Sequence, residues 1–201
     1  MKRVILPLLF VALSQLLALA ANAAVTIRIF EDGQDVAVTW SGSFNTNAAT
    51  FAGQLPLPVG GVGPSTGFIS TTPGDGDVYR VSATEPPVLG PGADRTDWDT
   101  SSGDTVAISV EANLLLPRGY ISGAALSGSA RANNTTLNAM GLTPGTYTLE
   151  STNGGVTDSV SIVIEGPAVS ATATPVPTLP VFGLALLAAA IAALGRRAIR
   201  R

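Results

Sequence analysis

AVTIRIFEDGQDVAVTWSG, running from Ala24 to Gly42, sets Val25, Ile27 and Ile29 at alternate positions around Thr26 and Arg28, then repeats the pattern in Val36, Val38 and Trp40 around Ala37 and Thr39. A period of two belongs to a β-strand with one buried face, because successive side chains of an extended backbone point to opposite sides. Gly33-Gln34 supplies the turn between the two runs. Val36, Val38 and Trp40 are therefore expected to face a sheet interior. The alternation recurs in Val106, Ile108 and Val110 around Ala107 and Ser109, and in Val160, Ile162 and Ile164 around Ser159 and Ser161. Tyr147 to Leu149, a turn at Asn153-Gly154 and Thr157 to Ile164 predict a hairpin, since Asn-Gly tolerates the positive φ of tight hairpin turns. Only Thr136 to Leu142, ahead of Pro144, suits a short helical turn. Roughly 140 residues of short alternating strands predict an all-β domain, a single β-sandwich or jelly-roll-like unit large enough to bury its own core.

Composition agrees and removes much chemistry. The 201 residues include 22 Gly and 14 Pro, the balance of a turn-rich β protein. Without histidine there is no Ser-His-Asp triad, Cys-His dyad or histidine metal site, and without cysteine no disulfide or thiolate chemistry. No cofactor is expected.

The two ends read as addresses. Met1-Lys2-Arg3, the apolar run Val4 to Ala20 and small residues at Ala21 and Ala23 form a secretory signal, 1–23, with the peptidase site after Ala23. An uncleaved N-terminal anchor is the alternative. Leu179 to Gly195 is almost wholly apolar and is closed by Arg196, Arg197, Arg200 and Arg201. As a helix it would reach only ~25 Å, short of a ~30 Å hydrocarbon core, so the arginines would snorkel and hold the C-terminus in the cytoplasm. A buried core helix is the alternative, with no other helix to pair against. Residues 167–175, small, uncharged and proline-flanked, form a flexible spacer behind an exported β domain at 24–166.

The order Val176-Pro177-Thr178-Leu179-Pro180, short apolar helix, arginine cluster, at 176–201 of a chain with a signal peptide, resembles the PEP-CTERM sorting signals of Gram-negative bacteria. Thr178-Leu179 between the prolines is similar to the related IPTL-type variant. The resemblance implies an exosortase substrate: after signal peptidase acts, the chain would sit transiently in the inner membrane, then pass to the cell surface or biofilm matrix. Inside the domain, Gly63 to Ile69, Leu116 to Gly123 with Leu126 to Ser129, and Leu142 to Thr148 are similar to segments of small PEP-CTERM proteins. Each also reads simply as strand-turn-strand.

Six of the eleven basic residues lie in the two ends, which leaves Arg28, Arg80, Arg95, Arg118 and Arg131 against all fourteen acids, a net charge of −9 for the exported part. Such a surface offers no footprint for nucleic acid.

Candidate chemistry is sparse. Gly63-Pro64-Ser65-Thr66-Gly67 spells the G-x-S-x-G nucleophile elbow, but no base exists to activate Ser65, so it reads as a turn. Asp94, Asp97, Asp99 and Asp104, with Asp75 and Asp77 as a second pair, are candidate Ca²⁺ ligands, although an EF-hand template aligned on Asp97 meets Ser102 in place of glycine and Ile108 in place of glutamate. Asp99-Thr100-Ser101 lacks the second copy that an aspartic protease needs. Among aromatics that could stack on sugars, Trp40 reads as core and Trp98, flanked by Asp97 and Asp99, as surface, with Tyr79 and Tyr120 as further candidates. Asn133 and Asn134 open two overlapping N-x-[ST] sequons. These readings converge on a non-enzymatic, secreted surface or matrix protein with extracellular polysaccharide as a candidate partner. The competing expectation is a carboxylate-based hydrolase of matrix glycan, or a protein retained by an uncleaved membrane anchor.

Overall fold

The computed structural model describes residues 24–166. The expected signal peptide, spacer and C-terminal sorting signal, with Ala21, Val176 to Pro180 and the four terminal arginines, lie outside the described residues. Among the described residues no helix is long and apolar enough to cross a membrane.

The strands in chain order are β1 (Ala24–Asp32), β2 (Asp35–Gly42), β3 (Thr50–Leu57), β4 (Gly61–Gly63), β5 (Phe68–Ser70), β6 (Gly74–Arg80), β7 (Thr96–Asp97), β8 (Thr100–Gly103), β9 (Ala107–Ile108), β10 (Asn113–Pro117), β11 (Leu126–Ala132), β12 (Gly145–Asn153) and β13 (Val156–Ile164). They form a six-stranded sheet, β12-β13-β1-β2-β11-β8, and a seven-stranded sheet, β3-β6-β10-β9-β5-β4-β7. The fold is all-β with two sheets that share one hydrophobic core, an arrangement consistent with a β-sandwich.

The alternation in the opening stretch explains its share of that core. Val25, Ile27, Ile29, Val36 and Val38 are fully buried and Trp40 is 2% exposed, as the period of two requires. Gly33, at φ +71°, closes the β1–β2 hairpin between the paired residues Asp32 and Asp35. Opposite them, Ile69, Ile108, Leu114 and Leu116 fill the core from the second sheet. β1 pairs antiparallel with β2 but parallel with β13, Val25 beside Val160 and Ile29 beside Ile164, so the first and last strands of the domain are neighbours.

Two local expectations shift. The β12–β13 turn falls one residue later than predicted, on Gly154-Gly155 at φ +57° and +83°, with Asn153 and Val156 as the closing pair. Val106 to Val110 is not one half-buried strand: only Ala107–Ile108 is extended, Val106, Ala107 and Ile108 are all buried, and Val110 is 57% exposed. The cause is a turn that the serine organises. Ser109 Oγ accepts from the backbone N–H groups of Glu111 and Asn113, and its carbonyl accepts from Ala112, which sits at φ +58°. The predicted helical turn is one α-turn, with Met140 N–H donating to the Thr136 carbonyl at 3.0 Å.

Candidate functional site

The face of the six-stranded sheet turned away from the core carries rows of hydroxyls beside Arg28, Phe30, Ala37, Arg131 and Val163. Because cross-strand partners share a face, the register aligns Thr148, Ser161, Thr26, Ser41 and Ser127 in one row across five strands. A second row places Thr39, Ser129 and Ser102 side by side on β2, β11 and β8. β-branched threonine suits a pleated, solvated face, and its neighbours satisfy it locally: Thr148 and Ser161 share a hydrogen bond of 3.4 Å, Thr152 and Thr157 one of 2.9 Å.

At the β2-β11-β8 end this face dips into an open groove of about 330 Å³, lined by Phe30, Thr39, Thr100, Ser102, Ser129 and Arg131 among others. Its size lies at the lower bound for small-ligand sites. Arg131 is fixed from both sides of the β1–β2 turn, by Asp32 at 2.6 Å and Asp35 at 2.8 Å. The Asn134 backbone N–H, followed by the Arg131 guanidinium, holds the Asp35 carboxyl below its ordinary value. The two carboxylates in turn hold the Arg131 guanidinium above its own, Asp32 first. The groove thus presents hydroxyls that both donate and accept, an oriented guanidinium and one phenyl ring, over which Arg28 lies at 5.8 Å. Its one lining acid, Asp32, is paired with Arg131, and Ala37, Val38 and Ala130 complete the lining, so the arrangement suits reversible binding of a hydroxylated ligand.

The four aspartates singled out as cation ligands are not brought together. Asp97 lies on β7 in the seven-stranded sheet and accepts from Arg95 Nε at 2.6 Å, whereas Asp99 and Asp104 bracket β8 in the other sheet. Asp99 accepts from the Asn133 backbone N–H at 2.7 Å and Asp104 from that of Ser127 at 2.8 Å, so each ties an edge strand down. Asp94 is exposed in the preceding loop. Among the described residues no three acids converge on a position for a metal ion. In the second pair, Asp75 faces Arg118 at 3.1 Å while Asp77 accepts from Gln54 and from the Gly119 backbone N–H.

Trp98 is not a surface residue. It is 9% exposed, and its indole N–H donates to the Ser70 carbonyl at 2.7 Å. A tryptophan between two aspartates is buried because β7 ends there and the chain crosses between sheets. Trp40 and Tyr79 are also core residues, and the half-buried Tyr120 donates its hydroxyl to the Ala124 carbonyl while accepting from the Phe44 N–H. These four rings make no stacking platform. Ser65 is exposed on a 3₁₀ turn, Pro64–Thr66, between two strands, where a nucleophile elbow would need strand then helix. Asn133 and Asn134 are exposed.

Sequence reasoning missed Arg131. Two acids flanking a hairpin turn, Asp32 and Asp35, marked a place for a cation, but only the pairing of β11 with β2 brings that arginine to it. With this geometry in hand, comparison adds no relative: no family model, curated protein or solved structure matches the chain.

Proposed function

We propose that the chain is an exported, non-enzymatic protein of the cell surface or extracellular matrix of a Gram-negative bacterium. In this reading residues 24–166 form a single β-sandwich or jelly-roll-like domain, set between a signal peptide and a C-terminal transmembrane sorting helix that an exosortase-like protease removes. The observation that carries it is the three-part order at the C-terminus, Val176 to Pro180, then an alanine-rich apolar segment, then Arg196, Arg197, Arg200 and Arg201. An alanine-rich span inserts weakly, as suits a temporary anchor, and the prolines keep the preceding backbone extended for a protease. Support for a binding rather than catalytic role comes from the groove, whose one lining carboxylate, Asp32, is held in an ion pair by Arg131. Its hydroxyl lining suits extracellular polysaccharide.

Mass spectrometry of the protein recovered from its native surface tests this reading. The expected mature C-terminus falls between Pro175 and Pro180, and replacing the four terminal arginines with glutamine should abolish cleavage and surface delivery. An intact C-terminus at Arg201, or delivery unaffected by the substitutions, would overturn it.

A further inference from the structure

At the tip of the β12–β13 hairpin, Asn153 precedes Gly154, and it is the chain's one asparagine followed by glycine. Both residues are exposed. The Gly154 N–H, lying between the last residue of β12 and the first of β13, has no hydrogen-bond acceptor among the described residues. A Cβ at Gly154 would meet no atom within 4 Å, so neither a side chain of its own nor a packed neighbour crowds that nitrogen. The Asn153 carboxamide reaches from the six-stranded sheet to the chain entering β3. Its Nδ2 donates to the Asn47 carbonyl at 3.2 Å and to the Ala49 carbonyl at 3.3 Å, on either side of the end of the 3₁₀ turn Thr46–Ala48. Both bonds are at the long limit for N–H···O, so the group is held loosely.

We propose that Asn153 is a site of spontaneous deamidation, and that the modification unfastens the hairpin tip from the turn before β3. The Gly154 nitrogen gives its proton to solvent base and bonds to Asn153 Cγ; the Cγ–Nδ2 bond breaks, and Nδ2 takes up a proton and leaves as ammonia. Water then opens the five-membered imide at either carbonyl, to aspartate or isoaspartate. Water is consumed and ammonia released, with no oxidant or reductant. Glycine favours the step because it sets no side chain against ring closure. The product cannot replace Asn153. A carboxylate has no proton to donate, so the Asn47 and Ala49 carbonyls lose their donor and face a negative charge instead. The isoaspartyl form also adds a backbone carbon at the residue whose pairing with Val156 closes the hairpin. Ser151 Oγ still donates to the Ala48 carbonyl, and Asp158 still accepts from the Asn45 N–H, so the loosening stays within the turn and the start of β3. This inference stands independently of the export reading.

The test ages the full chain in mild detergent and warm, mildly alkaline buffer, with peptide mass spectrometry and hydrogen exchange over residues 46–50. The expected result is conversion of Asn153 to isoaspartate in excess over aspartate, about tenfold faster than any change at Asn133, Asn134 or Asn138, whose next residues carry side chains. Exchange over 46–50 should quicken in step with the conversion, stay constant while Asn153→Gln ages, and be fast from the outset in Asn153→Asp. If Asn153→Asp fails to fold, the aged native chain decides, because converted and unconverted molecules are compared in one sample. An Asn153 left intact while Asn133, Asn134 or Asn138 reacts, an Asn153 intact throughout, or a converted chain whose 46–50 amides exchange as before, overturns the inference.

Discussion

Gly128 leaves the space that Trp40 fills. The two are cross-strand partners on β11 and β2, and a Cβ at Gly128 would stand 2.1 Å from Trp40 Cζ2 and 2.5 Å from the Ser102 carbonyl oxygen. Neither neighbour can yield easily, because the indole is 2% exposed within the core and the carbonyl belongs to the β8 backbone. Gly128→Ala is therefore expected to destabilise the domain by about 1–3 kcal/mol, an overpacking penalty, and to lower Tm by about 2–4 °C per kcal/mol in thermal unfolding. Periodicity alone assigned Trp40 to the interior. Its fit to a glycine on a strand some ninety residues later could not be read from the chain, since it depends on the β2–β11 register, and the same holds for the site: the hydroxyls of Thr39 and Ser129 are visible as solvated strand residues, while their adjacency is not.

At the scale of the element, the β12–β13 hairpin is governed by two left-handed residues. Gly154 and Gly155, at φ +57° and +83°, have the backbone that a type I′ turn demands, and side chains at both positions would meet no neighbouring atom. Substitution there tests conformation without packing. Ala at both positions is expected to cost about 2–4 kcal/mol, from roughly 1–2 kcal/mol per non-glycine residue in this region, whereas Asn at Gly154 should cost much less because asparagine tolerates it. Urea denaturation of the two variants measures the difference, and equal losses would show that the turn does not control the hairpin. The hairpin was legible beforehand because turn chemistry is local. The true pair of turn residues was not, because placing the turn on Asn153-Gly154 or one residue later is decided by which register turns Leu149, Val160 and Ile162 inward.

For the whole molecule, closure depends on the last strand. β13 lies between β12 and β1 and contributes Val160, Ile162 and Ile164, all buried, to the shared core. At about 1.5–3 kcal/mol for each side chain, their loss approaches the entire 5–15 kcal/mol stability of an ordinary domain. A chain ending before Val156 is expected to lose its cooperative thermal transition and near-ultraviolet circular dichroism altogether, whereas a chain ending after Gly166 should keep both. By itself the sequence determined the all-β class, the inward residues of β1, β2 and β13, and the place of the β1–β2 turn, because period-two alternation and glycine conformations are properties of neighbouring residues. It also determined which chemistries are excluded for want of histidine and cysteine. Only the tertiary structure decided the parallel pairing of first and last strands, the separation of Asp97 from Asp99 and Asp104, the burial of Trp98 and the meeting of Arg131 with Asp32 and Asp35. Each of these joins residues distant in the chain or assigns neighbours to different sheets, and such contacts are settled by how two sheets bury one common core.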